Sequence, residues 1–130
     1  MKTLTILLFS LIVFTAQAAP DMEDSMKQMG LSFKQAREAQ TLEVMQRAMQ
    51  DFSASLHQAQ QLGFKGSKAE LMQQGLTELE QATQHTQQLL EQHDLAGAKS
   101  SLAELDRLRK KYHKERQPGF WQLLFGSDQS

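Results

Sequence analysis

Two side-chain types in this chain are placed to do chemistry together: a histidine near one end and a row of methionines near the other. His113 lies in a stretch, residues 105–116, that reads as the last turns of a helix. At helical spacing Leu102, Leu105, Arg109, Tyr112, His113 and Arg116 fall close to one face. An imidazole on a face that should meet a core is a candidate metal ligand. Met22, Met26 and Met29 repeat at steps of four and three near the other end, and a thioether is a soft ligand. Each group also has a plainer reading. A methionine stripe serves as core filler, and a histidine in a basic helix end compensates the helix dipole.

Other chemistry is thinly represented. The chain has no cysteine, which removes disulfides, thiolate metal sites and the covalent haem signature C-x-x-C-H. There is no H-E-x-x-H and no phosphate loop. The inward Glu and E-x-x-H pattern of di-iron bundles is also missing. An enzyme is therefore not expected. The formal net charge of -1 gives no drive toward nucleic acid. His57, His85 and His93 read as solvated or loop residues.

The elements that must position these groups are helical. Gln, Ala, Leu, Glu and Lys are abundant, and β-branched residues are scarce after the first fifteen positions. Residues 1–18 read as a signal peptide, with Lys2, an apolar run and an A-x-A ending. Cleavage is expected between Ala18 and Ala19. The alternative is an uncleaved anchor. Export without a retention signal suggests a bacterial periplasm. The first helix is expected over residues 22–39, with Met22, Met26, Met29, Phe33 and Ala36 as its stripe. The second spans residues 42–62 behind a Thr41 cap, with Leu42, Met45, Met49, Phe52, Leu56 and Ala59 inward. Gly63 and Gly66 mark a loop. Ser67 is expected to cap a third helix, in a box with Glu70, that ends near residues 92–93. Its stripe is Leu71, Met72, Leu76, Leu79, Thr83, Thr86 and Leu90. Asp94 caps a fourth, with Leu95, Ala98, Leu102, Leu105, Arg109 and Tyr112 inward. Pro118-Gly119 stops it.

Four such stripes with short connections give an all-α, antiparallel up-down-up-down four-helix bundle over residues 19–117. That topology sets the start of the first helix beside the end of the fourth. The acids Asp21, Glu23 and Asp24 then face the basic run 107–116. It also brings Met26 toward His113. A thioether and an imidazole together can complete six-coordinate haem iron and leave no open site, so the chemistry that remains is one-electron transfer.

On these residues the chain resembles the cytochrome b562 family. The resemblance is carried by Asp21-Met22-Glu23-Asp24-Ser25-Met26, by Arg109-Lys110-Lys111-Tyr112-His113, and by Gln74-Gly75-Leu76 between them. It covers residues 19 to about 116. It implies a periplasmic electron carrier with one non-covalent b-type haem per chain, Met26 and His113 being the iron ligands. It further implies that Arg109 lies near the haem and that Met72 and Leu76 replace two pocket phenylalanines. Phe33 and Phe52 stand where the family has aliphatic residues, and Met29 completes the expected pocket. A second family arginine aligns with Gln117, one position from Arg116, and the loop between the second and third helices is shorter.

Residues 118–130 lie outside the resemblance. Five of the seven residues 120–126 are large and apolar, too few to span a bilayer. This tail is expected either to fold back over the bundle end, covering the haem edge, or to present Phe120, Trp121, Leu124 and Phe125 to a membrane interface or partner protein. A monomer serving an unidentified redox partner is the leading expectation. The alternative function is a haem-free periplasmic binding module, a stress sensor or chaperone.

Overall fold

The computed structural model describes residues 21–115. The expected signal peptide, Arg116, the stop at Pro118-Gly119 and the apolar tail lie outside the described residues. Four helices follow one another: α1 (Met22–Glu38), α2 (Leu42–Leu62), α3 (Ala69–Glu91) and α4 (Leu95–Glu115). They form the expected all-α four-helix bundle, with no strand among the described residues. No described helix is long and apolar enough to cross a membrane.

Local signals explain most of the boundaries. Asp21 caps α1, accepting from the Asp24 N–H at 2.8 Å while the Asp24 carboxylate accepts from the Asp21 N–H at 3.4 Å. This capping box satisfies two backbone donors that a helix start otherwise leaves open. Thr41 Oγ1 does the same for α2, accepting from the Val44 N–H at 3.2 Å. Asp94 Oδ1 accepts from the Gly97 N–H at 2.8 Å at the start of α4. A Cβ on Gly97 would collide with that carboxylate, so glycine there leaves room for the cap.

The α3–α4 turn is a Schellman motif: the Asp94 N–H donates to Leu89 O and the His93 N–H to Leu90 O. His93 supplies the left-handed residue, at φ 58°, where glycine is usual. One boundary departs from expectation. The residue before α3 is Lys68, which makes no side-chain cap, so Ser67 does not cap the helix. The chain leaves Gly66 at φ 95° and turns into the helix through the Ala69 N–H to Gly66 O bond. The short loop supplies backbone closure in place of a side-chain cap.

Packing is uneven around the bundle. α1 lies along α2 most extensively and α3 along α4 next, whereas α1 and α4 touch only sparsely. The core runs from Ala36, Ala48, Leu90 and Ala98 at one end to Met29, Phe33, Leu76 and Leu105 toward the other. Met72, Leu108 and Tyr112 form a second cluster, against which Phe64 of the α2–α3 loop packs.

Candidate haem site

α1 begins and α4 ends at the same end of the bundle, and the weakly joined α1–α4 seam opens there onto a cavity of about 330 Å³. α1 contributes Met26, Met29, Gly30 and Phe33 to its wall, with Glu23 and Lys27. α2 adds Phe52 and the following loop Phe64. α3 adds Met72, Gly75, Leu76 and Leu79, and α4 adds Leu105, Arg109, Tyr112 and His113. The eight residues expected at the site, Met26, Met29, Phe33, Phe52, Met72, Leu76, Arg109 and His113, therefore all face one cavity.

Their depths differ. Met29, Phe33, Phe52, Met72 and Leu76 are buried. Met26 and His113 are half-buried, from α1 and α4 respectively. Arg109 is exposed, and here the expected α4 stripe needs correction: Leu108 is buried in its place. Positions 108 and 109 are both compatible with a helical step from Leu105. The apolar one turns inward, and the guanidinium goes to the cavity rim, 2.9 Å from Asp106 Oδ1.

The charges at this end are arranged mostly within helices. Lys27 Nζ lies 2.9 Å from Glu23 Oε1, and this bond raises the lysine pKa. Lys110, then Arg109, hold the Asp106 carboxyl below its ordinary range. Arg107 pairs with Glu104 at 2.6 Å, and Lys111 reaches Glu78 of α3 at 3.9 Å. These four basic groups of α4 thus find acids on α4 and α3, although the sequence pointed to Asp21, Glu23 and Asp24. The i,i+3 and i,i+4 acids on the same helix are nearer partners at lower entropic cost.

Two residues shape the wall in ways that side-chain type alone hides. Gly75 lies under the Tyr112 ring, and a Cβ added there would sit 2.7 Å from Tyr112 Cγ and Cδ1. Glycine at that position lets the ring lie against α3. Gly30 is the opposite case, since a Cβ there would meet nothing within 4 Å. Gly30, Phe64, Leu79 and Leu105 were not singled out as site residues from sequence. Leu79 and Leu105 sat on the inward stripes, but no signal separated pocket wall from ordinary core.

Polar groups at this site are few. The Tyr112 hydroxyl is buried without a hydrogen-bond partner among the described residues. Burial raises its pKa, and the Glu78 carboxylate, near but not in hydrogen-bonding geometry, adds to the rise. The other histidines lie off the cavity. His57 is 3.4 Å from Glu80, which Gln60 also holds at 3.0 Å, and His85 and His93 are exposed. Among the described residues no group of three or more His, Asp or Glu side chains could hold a metal ion.

The residues suit a haem. The wall is apolar and rich in Met, Phe and Leu, as a flat hydrophobic group requires. One imidazole and one thioether stand on different helices of it. Arg109 and Lys27 add cations at the rim for carboxylates. The family model described as Cytochrome b562 matches residues 21–117 of the chain. A search of curated proteins gave no match.

Proposed function

Because the chain belongs to the cytochrome b562 family, which binds a non-covalent b-type haem and carries electrons, we propose that it is a periplasmic electron carrier whose haem iron is held by Met26 and His113. The family is generally non-enzymatic and is periplasmic in bacteria. The single observation that carries the ligand assignment is the convergence of Met26 and His113 from α1 and α4 on one apolar cavity.

The haem, when bound, supplies reversible one-electron exchange. The protein's own residues determine how. Met26 and His113 would hold the iron between them, leaving no position for dioxygen or a substrate, and a Met/His pair favours a raised potential. Met29, Phe33, Phe52 and Leu76, buried in the cavity wall, would keep water from a haem held there. Low water content keeps reorganisation on charge transfer small and strengthens the electrostatic effect of each nearby charge. Lys27 and Arg109 stand on opposite sides of the α1–α4 seam, each held by an acid of its own helix. Arg109 and Tyr112 occupy the positions at which covalent relatives carry cysteines, so retention rests on coordination and packing.

Optical spectra test the assignment. The reduced protein is expected to show the sharp, split bands of low-spin haem. Met26→Ala and His113→Ala should each convert it to a high-spin or mixed spectrum, and His113→Ala should release haem more readily. Unchanged low-spin spectra in both variants would reject these ligands and leave the family's haem chemistry to other residues. The export reading predicts that the protein is recovered from the periplasmic fraction with Ala19 at its N-terminus. The haem-free sensor reading has no observation in the fold that favours it.

A further inference from the structure

Three of the side chains that line the cavity are methionines. Met26 and Met29 come from α1 and Met72 from α3, and His113 of α4 lines the same space. Met26 and Met29 stand three residues apart, so on a helix they are neighbours, about 5–6 Å apart at Cβ. A thioether is soft and polarizable on a chain with three rotatable bonds, so sulfurs rooted side by side can swing toward a shared point. Met29 and Met72 are buried, whereas Met26 and His113 are half-buried. Two donors are thus sheltered from water and two border the mouth. Met22, on the same α1 stripe, lines a neighbouring groove instead and stands outside this set.

Hard donors are not gathered here. Among the described residues no group of three or more His, Asp or Glu side chains could hold a metal ion, and the chain has no cysteine. The rim cations Lys27 and Arg109, which by themselves would oppose a metal ion, are offset by Glu23 and Asp106 at 2.9 Å each.

We propose that this cavity is also a soft-metal site, in which Met26, Met29, Met72 and His113 bind one copper(I) ion when haem is absent. Thioether and imidazole donors suit copper(I), whereas magnesium, calcium and manganese take oxygen ligands. A monovalent ion among neutral donors also brings less charge into an apolar cavity than a divalent one. The metal enters and leaves as copper(I), so no oxidant or reductant is needed. Met26 and His113 are shared with the proposed haem, and the two occupants exclude one another. Met29 and Met72 are ligands only for the metal, so the metal site does not rest on the haem assignment.

The experiment uses the full exported chain, as purified without added haem. Silver(I) nitrate in chloride-free buffer is the redox-inert probe, and copper(I) buffered by bathocuproine disulfonate gives the affinity. Methionine methyl NMR locates the ion. Silver(I) is expected to shift the Met26, Met29 and Met72 methyls and to leave those of Met45 and Met49, fully buried on α2, unmoved. Met29→Leu and Met72→Leu keep the side-chain volume and should each lower copper(I) affinity by about tenfold or more, while Met45→Leu should not. Circular dichroism checks that each variant is folded. Four outcomes overturn the proposal: silver(I) that moves no methionine methyl, silver(I) that moves those of Met45 and Met49 equally, copper(I) affinity unchanged in both Met29→Leu and Met72→Leu, or zinc(II) sulfate that shifts the same methyls at the same concentration. Haem uptake is read separately, from the optical spectrum. A chain that takes up no haem therefore leaves the silver titration decisive, and a chain that takes up haem but shows no silver shift sinks the metal site alone.

Discussion

The two ends of this bundle are built on opposite plans. At the closed end, where the α1–α2 and α3–α4 turns lie, alanines, leucines and the fully buried Met45 and Met49 fill the core without a cavity among the described residues, and the buried polar groups are paired. Thr86 Oγ1 and Ser101 Oγ are 2.6 Å apart, Ser101 also donates to Ala98 O, and Lys99 donates across to Ala39 O. At the open end the core is Met, Phe and Tyr around a cavity. The buried hydroxyls without partners among the described residues, those of Ser25 and Tyr112, belong to that half of the molecule. An unsatisfied buried group costs about 1–3 kcal/mol. The closed end is therefore optimised as a core, and the open end is left under-packed and under-bonded. Stability is concentrated away from the site, and the site keeps the space and soft side chains that a large flat group needs.

Core truncation is the most forceful way to break this comparison. Met45 is fully buried at the closed end. Met45→Ala should cost about 2–5 kcal/mol, by the same amount with or without haem. Met29→Ala at the cavity should cost less in the haem-free chain, because one side of Met29 already lacks neighbours. With haem bound its cost should rise. Chemical denaturation in both states measures this, and equal costs at both sites would erase the distinction between the ends.

The glycines of the cavity wall sharpen it. Gly75→Ala pushes a methyl into the Tyr112 ring and should destabilise by about 1–3 kcal/mol. Gly30→Ala points into open space and should stabilise the haem-free helix by about 0.5–1 kcal/mol. If the haem passes close to α1 at Gly30, the haem-bound chain will lose that gain. Paired thermal melts of the two variants read the difference.

At the closed end, His93→Gly removes a left-handed, non-glycine residue and should stabilise by about 1 kcal/mol, since the strain relieved exceeds the added unfolded-state entropy. Its effect should not depend on haem. The smallest effect concerns acid. Asp106 has its pKa lowered in the folded state by Lys110 and Arg109. Its contribution to stability is thus present above the ordinary aspartate pKa and lost as pH falls through the lowered value, below about pH 4. Asp106→Asn should flatten that acid limb slightly, as urea titrations across this pH window would register.

Much of this was legible in the chain because the signals were redundant. α1 and α2 combine a polar cap with an unbroken apolar stripe, and their bounds fall within a residue of expectation. The Asp94 cap followed from the same logic. Where only one signal existed, it misled. Ser67 with Glu70 looked like a capping box, but the backbone through Gly66 decided the start of α3. On α4 the helical period permitted both Leu108 and Arg109, and the apolar residue prevailed. The convergence of Met26 and His113 on one cavity was legible because these two side chains stand at opposite chain ends that a bundle must bring together. The Gly75–Tyr112 fit was not legible, because it depends on how closely α3 and α4 approach.

The sparse α1–α4 seam has a consequence for assembly. The α1–α2 and α3–α4 hairpins are local in sequence, so each can form early, whereas joining the first helix to the last closes the longest loop in the chain. A haem held by Met26 and His113 would fasten that last and most distant contact. Native-state stability would then follow haem supply by mass action, rising with free haem relative to its dissociation constant. Cells short of haem would carry more of this chain with its first and last helices parted and exposed to proteolysis.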